Sequence, residues 1–166
     1  TILSTPAGIN CGAVCVFERT GNTWPERARL PAGVNPGAFG PSVAYDGSVV
    51  LVGAPNEHHG SFDYSGAAYA YSRSGQNWAL DAKLRPTTPH DWKQYGYAVA
   101  IEHGVAVVGT GGAHALEDAP GDAHIYVRSG ATWSLDSVFS APDAQPQDGF
   151  GGALAIEGRT LLVGRF

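Results

Sequence analysis

The 166-residue sequence is poor in charge, since only 15% of its residues are Asp, Glu, Lys or Arg. Its net charge of −5 provides no basic surface for nucleic acid or for an anionic membrane. The longest apolar runs, at Val49–Val52 and Val105–Val108, have the length of a strand and are too short for a transmembrane helix. The sequence therefore predicts no nucleic-acid partner and no insertion into a membrane.

The sequence also lacks methionine, and its first residues carry no charged and then apolar leader. These absences favour a segment of a longer protein, with residues 1–166 forming a single partial domain. The composition that remains is 43% hydrophobic and includes 23 glycines and 11 prolines. Such a mixture is typical of short strands joined by tight turns, so the sequence predicts an all-β fold.

The three tryptophans Trp24, Trp78 and Trp133 recur at a nearly constant interval of roughly 55 residues, which is the length of one repeat unit. Each follows an Arg-x-Gly triplet, and each triplet ends a short strand-like run. The triplets are Arg19–Gly21, Arg73–Gly75 and Arg128–Gly130. An aromatic residue repeated at this interval favours packing between repeat units over ligand binding. We expect each tryptophan to begin the outer strand of its unit.

A second set of landmarks recurs at the same interval. An aromatic-glycine pair is followed in every copy, thirteen residues later, by another glycine. The pairs are Phe39-Gly40, Tyr95-Gly96 and Phe150-Gly151, and the later glycines are Gly53, Gly109 and Gly164. Between them lies an apolar hairpin with a tight turn. We expect each aromatic ring to lie under the next blade.

Each period therefore contains four short strands, which predicts β-propeller blades of four antiparallel strands. A β-sandwich is the alternative, but it gives no reason for glycines and tryptophans to recur in register. The repeats are 12–65, 66–120 and 121–166, the last one truncated. Assigning strands to blades gives two whole blades with a half blade at each end. A segment with open sheet edges is expected to be marginally stable, or prone to associate through its unpaired ends, when it is expressed alone.

The elements Phe39-Gly40, Val52-Gly53-Ala54-Pro55 and Gly66–Tyr71 resemble the FG-GAP repeat. FG-GAP repeats build the head propellers of integrin α-chains and many bacterial secreted or surface proteins, and the bacterial branch fits the Arg-x-Gly-x-x-Trp element best. The resemblance implies a non-enzymatic interaction scaffold, extracellular or at the cell surface, that binds protein or glycan through rim loops. It also implies that the rest of the propeller lies in the parent chain. The alternatives are a lectin-like propeller built on the tryptophans and a structural array attached to a catalytic domain elsewhere.

The inner hairpin turns depart from the calcium-binding pattern of the family. The turns at Asp46-Gly47, Glu102–Gly104 and Glu157-Gly158 are short and hold one carboxylate each. Calcium requires several oxygen ligands, so we expect no metal there and no cofactor elsewhere. The sequence also lacks the motifs of common catalytic sites, which predicts that this segment is not an enzyme.

Two longer loops, which do not repeat, are the candidate ligand-contact regions. The first spans Asn56–Ser65, and the second spans Gly111–Pro120. The candidate residues are Glu57, His58, His59, Phe62, Asp63 and Tyr64 in the first loop, and His114, Glu117 and Asp118 in the second. The Glu57–His59 run could ligate a transition ion, although adjacent histidines in such loops are mostly solvated.

Cys11 and Cys15 are the only two cysteines. If both lay on one strand, their Cα atoms would be about 13 Å apart, which is too far for a disulfide. Cys15 is therefore predicted to be a thiol on a strand. Cys11 could approach it only if that strand begins late, so the redox state stays open.

Overall fold

A computed structural model describes residues 12–32, 38–111 and 120–165. All twelve regular elements in these ranges are β-strands, and no helix there could cross a membrane. The strands are β1 (Ala13–Phe17), β2 (Glu26–Pro31), β3 (Val43–Tyr45), β4 (Val49–Ala54), β5 (Ala67–Ser74), β6 (Asn77–Leu84), β7 (Ala98–Glu102), β8 (Val105–Gly109), β9 (Ala123–Ser129), β10 (Thr132–Phe139), β11 (Ala153–Glu157) and β12 (Thr160–Gly164).

The strands form four antiparallel sheets. Two are four-stranded, in the orders β3-β4-β5-β6 and β7-β8-β9-β10, and two are hairpins, β1-β2 and β11-β12. The first strands of successive sheets are neighbours, because β7 contacts both β3 and β11. Within the described ranges, the sheets do not close into a ring, so they form a propeller fragment and the predicted fold class is confirmed. The repeat boundaries at 12, 66 and 121 stay predictions.

Strand β4 is buried on both faces because a sheet lies against each of them. Val49 and Leu51 pack in a cluster with residues of β7, β8 and β9, whereas Val50 and Val52 pack with Leu30 of β2. Successive strand residues point to opposite faces, so a run without polar residues satisfies two interfaces at once. This explains why the inner strands lack polar alternation.

The thirteen-residue glycine spacing corresponds to one hydrogen bond in each inner hairpin. The Gly40 amide donates to the Gly53 carbonyl at 2.9 Å, and the two later pairs do the same at 3.0 Å. Gly53 also lies so close to the next blade that a Cβ atom there would stand 2.0 Å from the Gly96 carbonyl oxygen. The repeated glycines therefore allow neighbouring blades to approach closely.

The expectation that each aromatic ring lies under the next blade fits the environment of Phe39. This residue lies in the connection from hairpin β1-β2 to sheet β3-β6, and its ring packs edge to face on Tyr69 and Tyr71 of that following sheet, with ring centroids 5.3 and 6.3 Å apart. It also shares a buried cluster with Leu30 of the preceding hairpin. The ring therefore fills the space between two successive sheets.

The repeated tryptophans do not all have the same environment. Trp78 and Trp133 lie on β6 and β10 and pack against the clusters between sheets. The Arg73 guanidinium lies 5.8 Å from the Trp78 ring centroid. Trp24, in contrast, lies before β2 and is 63% exposed, so the expectation of an outer-strand position is wrong for it. Within the described residues, no sheet precedes β1-β2 to cover its side chain.

Candidate functional site

The first candidate loop lies beside the connection between β6 and β7. The Trp92 amide donates to the Asp63 carbonyl at 2.7 Å, and the Gln94 amide donates to the Tyr64 carbonyl at 2.9 Å. A third bond joins the Tyr95 amide to the Ser65 carbonyl at 3.0 Å. The two segments therefore run together as a hydrogen-bonded pair on one rim of the blade.

Aromatic and acidic side chains meet on this pair of segments. Tyr64 and Trp92 stack with ring centroids 4.2 Å apart and planes 20° apart, and the His58 ring lies 5.3 Å from Tyr64. The His58 Nδ1 atom lies 2.8 Å from Asp63 Oδ1, and the Asp63 amide donates to Asp91 Oδ1 at 2.8 Å. We call His58, Asp63, Tyr64, Asp91 and Trp92 the rim cluster.

The backbone of the rim cluster is strained. Tyr64 and Trp92 have φ values of 53° and 61°, in the left-handed region that side-chain-bearing residues rarely adopt. Each such residue costs on the order of 1–3 kcal/mol, and the hydrogen bonds between the two segments hold both in place. Strain that the surroundings maintain in this way is common at binding and catalytic sites.

Glu57 lies inside the molecule and not on the rim surface. Its side chain accepts a hydrogen bond from the Tyr69 hydroxyl at 2.5 Å and pairs with Lys83 and Arg85 at 2.5 and 3.0 Å. Only 2% of the residue is exposed. Burial, followed by the hydrogen bond to the Glu57 carboxylate, raises the pKa of Tyr69. This carboxylate therefore fixes the start of the loop to β5 and β6.

The remaining candidates of the first loop are partly accessible. His59 is half-buried and exchanges backbone hydrogen bonds with Phe62, which is exposed. The structure does not bring Glu57, His58 and His59 together around one point, and the described part of the chain contains no group of three potential metal ligands. His114, Glu117 and Asp118 of the second loop lie outside the described residues, as does Cys11. Cys15 is half-buried on β1.

A buried polar cluster in the next blade was not expected from the sequence. Lys93 Nζ lies 2.9 Å from Asp122 Oδ2, and His124 Nε2 lies 3.0 Å from Asp122 Oδ1. Burial would raise the pKa of Asp122, but hydrogen bonding to His124 and the charge of Lys93 outweigh it and lower the pKa to about 2. Among the described residues, the other ring nitrogen of His124 has no hydrogen-bond partner. In a catalytic triad, this nitrogen would face a nucleophilic hydroxyl or thiol. The described residues place no such group beside the Asp122–His124 pair.

The carboxylates of the inner turns join neighbouring blades. Asp46 Oδ1 accepts the amides of Ser48 and Val49 at 2.9 and 2.8 Å, and Asp46 Oδ2 accepts the Gly104 amide at 3.3 Å. Burial would raise the pKa of Asp46, but these hydrogen bonds outweigh it and lower the pKa. Glu102 Oε2 accepts the Gly158 amide of the following turn at 2.5 Å. The same carboxylate-to-glycine contact thus recurs from one blade to the next.

Comparison with known proteins gives one family match. Residues 24–71 match the family model of the FG-GAP repeat. The matched segment begins at Trp24, runs through β2, β3 and β4, and ends in β5 at Tyr71. No curated protein matches the chain.

Proposed function

We propose, from the premise that residues 24–71 carry an FG-GAP repeat within a propeller fragment, that the chain is a non-enzymatic interaction scaffold. Its contact surface is the rim cluster, and its ligand is another protein. The FG-GAP repeat indicates a propeller interaction domain, and such repeats typically occur in extracellular or surface proteins. We therefore infer an extracellular or cell-surface location, in a protein of the bacterial branch.

The observation that carries this proposal is the stack of Tyr64 on Trp92. Trp92 is the one tryptophan of four that falls outside the regular spacing, and Tyr64 lies in a loop that does not repeat. Neither ring belongs to the three hydrophobic clusters that hold the sheets together. The residues that recur in every repeat account for the packing of the scaffold. The strained Tyr64–Trp92 pair lies outside the repeat, so we attribute it to ligand binding.

The charges around the stack suit a polar protein surface. Asp63 and Asp91 are exposed, and His58 is half exposed beside Asp63. Aromatic side chains flanked by hydrogen-bonding groups are the usual anchors of protein interfaces. Phe62 is exposed on the same loop and extends the apolar part of the surface.

The buried polar groups support a scaffold and not an enzyme. Glu57 pairs with Lys83 and Arg85, and Asp122 pairs with Lys93 and His124, so these ionisable clusters hold loops and sheets together. In the described part of the chain, no hydroxyl or thiol is paired with the His124 ring for it to activate. The lectin alternative depends on the repeated tryptophans, and Trp78 is half-buried against the core.

The test uses the purified, labelled chain on an array of purified extracellular proteins and on a glycan array. We expect protein binding that Tyr64→Ala reduces at least about tenfold, since anchor residues of this kind typically contribute about 1–2 kcal/mol or more. Trp24→Ala is the matched control, because that ring is exposed but lies away from the rim cluster.

Two results would count against the proposal. Protein binding that survives Tyr64→Ala with unchanged affinity would place the ligand elsewhere on the chain. Binding to glycans alone, lost in Trp78→Ala with an unchanged circular dichroism spectrum, would instead support the lectin-like alternative.

A further inference from the structure

The described part of the chain holds a basic side chain in the same arrangement at three places. Each time, the basic group forms an ion pair with a carboxylate and also lies over an aromatic ring. The three sets are Arg73 with Glu18 and Trp78, Lys83 with Glu57 and Tyr69, and Arg128 with Asp81 and Trp133. A carboxylate and the face of a ring attract the same cation, so the two contacts reinforce each other.

The distances are similar in these sets. The ion pairs measure 2.5, 2.5 and 2.7 Å, and the cationic groups lie 5.8, 4.8 and 5.9 Å from the ring centroids, in the order given. Two of the sets connect successive sheets, because Arg73 reaches Glu18 of the preceding hairpin and Arg128 reaches the preceding blade. Carboxylate, ring and cation therefore form a recurring contact that joins separate segments of this chain.

The rim cluster has the carboxylates and the rings of this arrangement without a lysine or an arginine. Asp63 directly precedes Tyr64, and Asp91 directly precedes Trp92, the ring on which Tyr64 stacks. Within residues 12–32, 38–111 and 120–165, neither carboxylate forms an ion pair with a lysine or an arginine. The His58 ring lies 2.8 Å from Asp63, but it is charged only when it is protonated. The rim cluster therefore lacks the permanent cation that completes the other three sets.

The basic residues nearest to the rim cluster in the sequence point into the molecule. Lys93 follows Trp92, and its side chain is only 8% exposed and pairs with Asp122 at 2.9 Å. Arg85 precedes Asp91 in the same connection between β6 and β7 and pairs with the buried Glu57 at 3.0 Å. The fold thus uses the basic groups of this connection inside and leaves the acidic groups on the rim, where their negative charge stays uncompensated.

The two rim carboxylates are held close together, with one oxygen of each available. Asp91 Oδ1 accepts the Asp63 amide at 2.8 Å, and Asp63 Oδ1 lies 2.8 Å from His58 Nδ1. Among the described residues, the Oδ2 atoms of Asp63 and Asp91 have no hydrogen-bond partner. Neighbouring carboxylates repel each other, and a cation that contacts both removes this repulsion.

We propose that the rim cluster binds a basic side chain, arginine or lysine, that a partner protein presents. The proposal deepens the proposed function and rests on it, since both assign the rim cluster to protein binding. The cationic group of the partner lies against the stack of Tyr64 on Trp92 and donates hydrogen bonds to the free oxygens of Asp63 and Asp91. It completes the arrangement that Arg73, Lys83 and Arg128 complete elsewhere in the chain.

This chemistry also defines what the rim cluster rejects. An acidic side chain at the same place would face two carboxylates and be repelled, and a neutral one would leave their charge uncompensated. The planar guanidinium of arginine can donate to both carboxylates at once, whereas the ammonium of lysine acts as a point charge. The ligand class is therefore a positive charge at the end of a long side chain.

The first experiment titrates the isotope-labelled full chain with three peptides, followed by nuclear magnetic resonance. The peptides consist of glycine and serine around one central arginine, lysine or citrulline, which has nearly the shape of arginine but no charge. The solution is kept at about pH 8, where an ordinary histidine is neutral. We expect the arginine and lysine peptides to shift the Trp92 indole signal and the Asp63 and Tyr64 amide signals. The citrulline peptide should bind at least about tenfold more weakly.

The second experiment removes the charges of the rim cluster. Asp63→Asn and Asp91→Asn each retain an oxygen that can accept the hydrogen bonds described above. Each should weaken binding of the arginine peptide about threefold or more, and the double variant should lose it. Glu157→Gln is the matched control, since this exposed carboxylate lies where β11 ends, at the turn away from the rim. The control should bind like the wild type, and all variants should keep the wild-type circular dichroism spectrum.

Several outcomes would overturn the proposal. The first is equal affinity for the arginine and citrulline peptides, and the second is signal shifts that lie only outside the rim cluster. The third is the absence of binding by both basic peptides. A double variant of Asp63 and Asp91 that binds like the wild type would also exclude these carboxylates as the acceptors.

Any protein found on the array separates this inference from the proposed function. If Tyr64→Ala abolishes binding of that protein and the double variant of Asp63 and Asp91 does not, the rim cluster binds protein without using a basic side chain. If the array yields no protein ligand while the basic peptides bind as expected, the chemistry of the rim cluster is supported and its assignment to a protein partner fails.

Discussion

The Arg128 guanidinium on β9 lies 2.7 Å from the Asp81 carboxylate on β6 and so joins the third strand of one blade to the outer strand of the preceding blade. Asp81 also accepts the Ser72 hydroxyl at 2.6 Å, and little of its side chain is exposed. Arg128 lies over the Trp133 ring as well, with 5.9 Å to the centroid. One arginine of the repeated triplet therefore connects an acidic residue, an aromatic ring and two sheets.

Replacing Asp81 by Ala should lower the free energy of unfolding by about 2–3 kcal/mol, because Arg128 would lose its buried partner. The comparison is Glu18→Ala, which breaks the more exposed pair with Arg73 and should cost less than about 1 kcal/mol. Urea unfolding followed by tryptophan fluorescence measures both. If Asp81→Ala and Glu18→Ala lowered the free energy of unfolding equally, burial would not explain the strength of the two ion pairs.

The pKa of Asp122 predicts how stability depends on pH. This carboxyl has a pKa of about 2 in the folded chain against 3.8 for the unperturbed group. Its contribution of about 2 kcal/mol is therefore present above pH 3.8 and is lost as the pH falls from there through about 2. Chemical unfolding between pH 5 and pH 2 should show this loss in the wild type.

Asp122→Asn should flatten the pH dependence of the free energy of unfolding between pH 5 and pH 2, because it removes the carboxyl that titrates there. Glu157→Gln is the control, since that carboxyl is exposed at the end of β11 and should leave the wild-type slope in place. A slope that persists in Asp122→Asn would show that another carboxyl produces the acid sensitivity.

Gly53→Ala should destabilise the junction between the two whole blades. The added Cβ atom would stand 2.0 Å from the Gly96 carbonyl oxygen, so one sheet would have to move. We expect a loss of about 3 kcal/mol or more, in the range of severe overpacking. Gly75→Ala is the comparison, because its Cβ meets open space and only its φ of 63° opposes the change, at about 1–2 kcal/mol. Thermal melts that rank the two variants in the opposite order would reject the close-contact explanation.

Glu57→Ala should lower the free energy of unfolding by about 2 kcal/mol, because it leaves the Tyr69 hydroxyl without its acceptor. Lys83 and Arg85 are partly exposed and can turn towards water, which limits the loss. Glu57→Gln retains an acceptor and should cost less. Hydrogen exchange of the Gly66 amide, which bonds to the Glu57 carbonyl, reports whether the loop loosens.

The recurring residues made the architecture predictable. The glycine and tryptophan spacing placed four strands in each period and the half blades at both ends, because each landmark has a single role that every blade repeats. Trp24 shows the limit of this reasoning, since the pattern treats it like Trp78 although no sheet in the described residues covers it. Equivalent sequence positions do not have equivalent neighbours at the end of an array.

The non-repeating residues were harder to predict. Glu57 stands beside two histidines in a polar loop, and only the fold reveals that Lys83 and Arg85, on another strand and just after it, reach its carboxylate. Trp92 and Tyr64 are far apart in the sequence, with two whole strands between them, and no local pattern indicates that they stack. A single signal was present, namely that Trp92 is the one tryptophan outside the regular spacing.

The hydrogen bond from the Gly40 amide to the Gly53 carbonyl closes the first inner hairpin into a backbone ring with a fixed number of residues, and the equivalent bonds do the same in the two later hairpins. Adding or deleting one residue inside that ring would break the bond and turn a strand's side chains towards the wrong neighbour. Length variation must therefore accumulate elsewhere, and the loop that follows Ala54 lies outside the ring. During divergence, such a chain can gain or lose residues on its rim while the hairpins next to the axis keep a constant length.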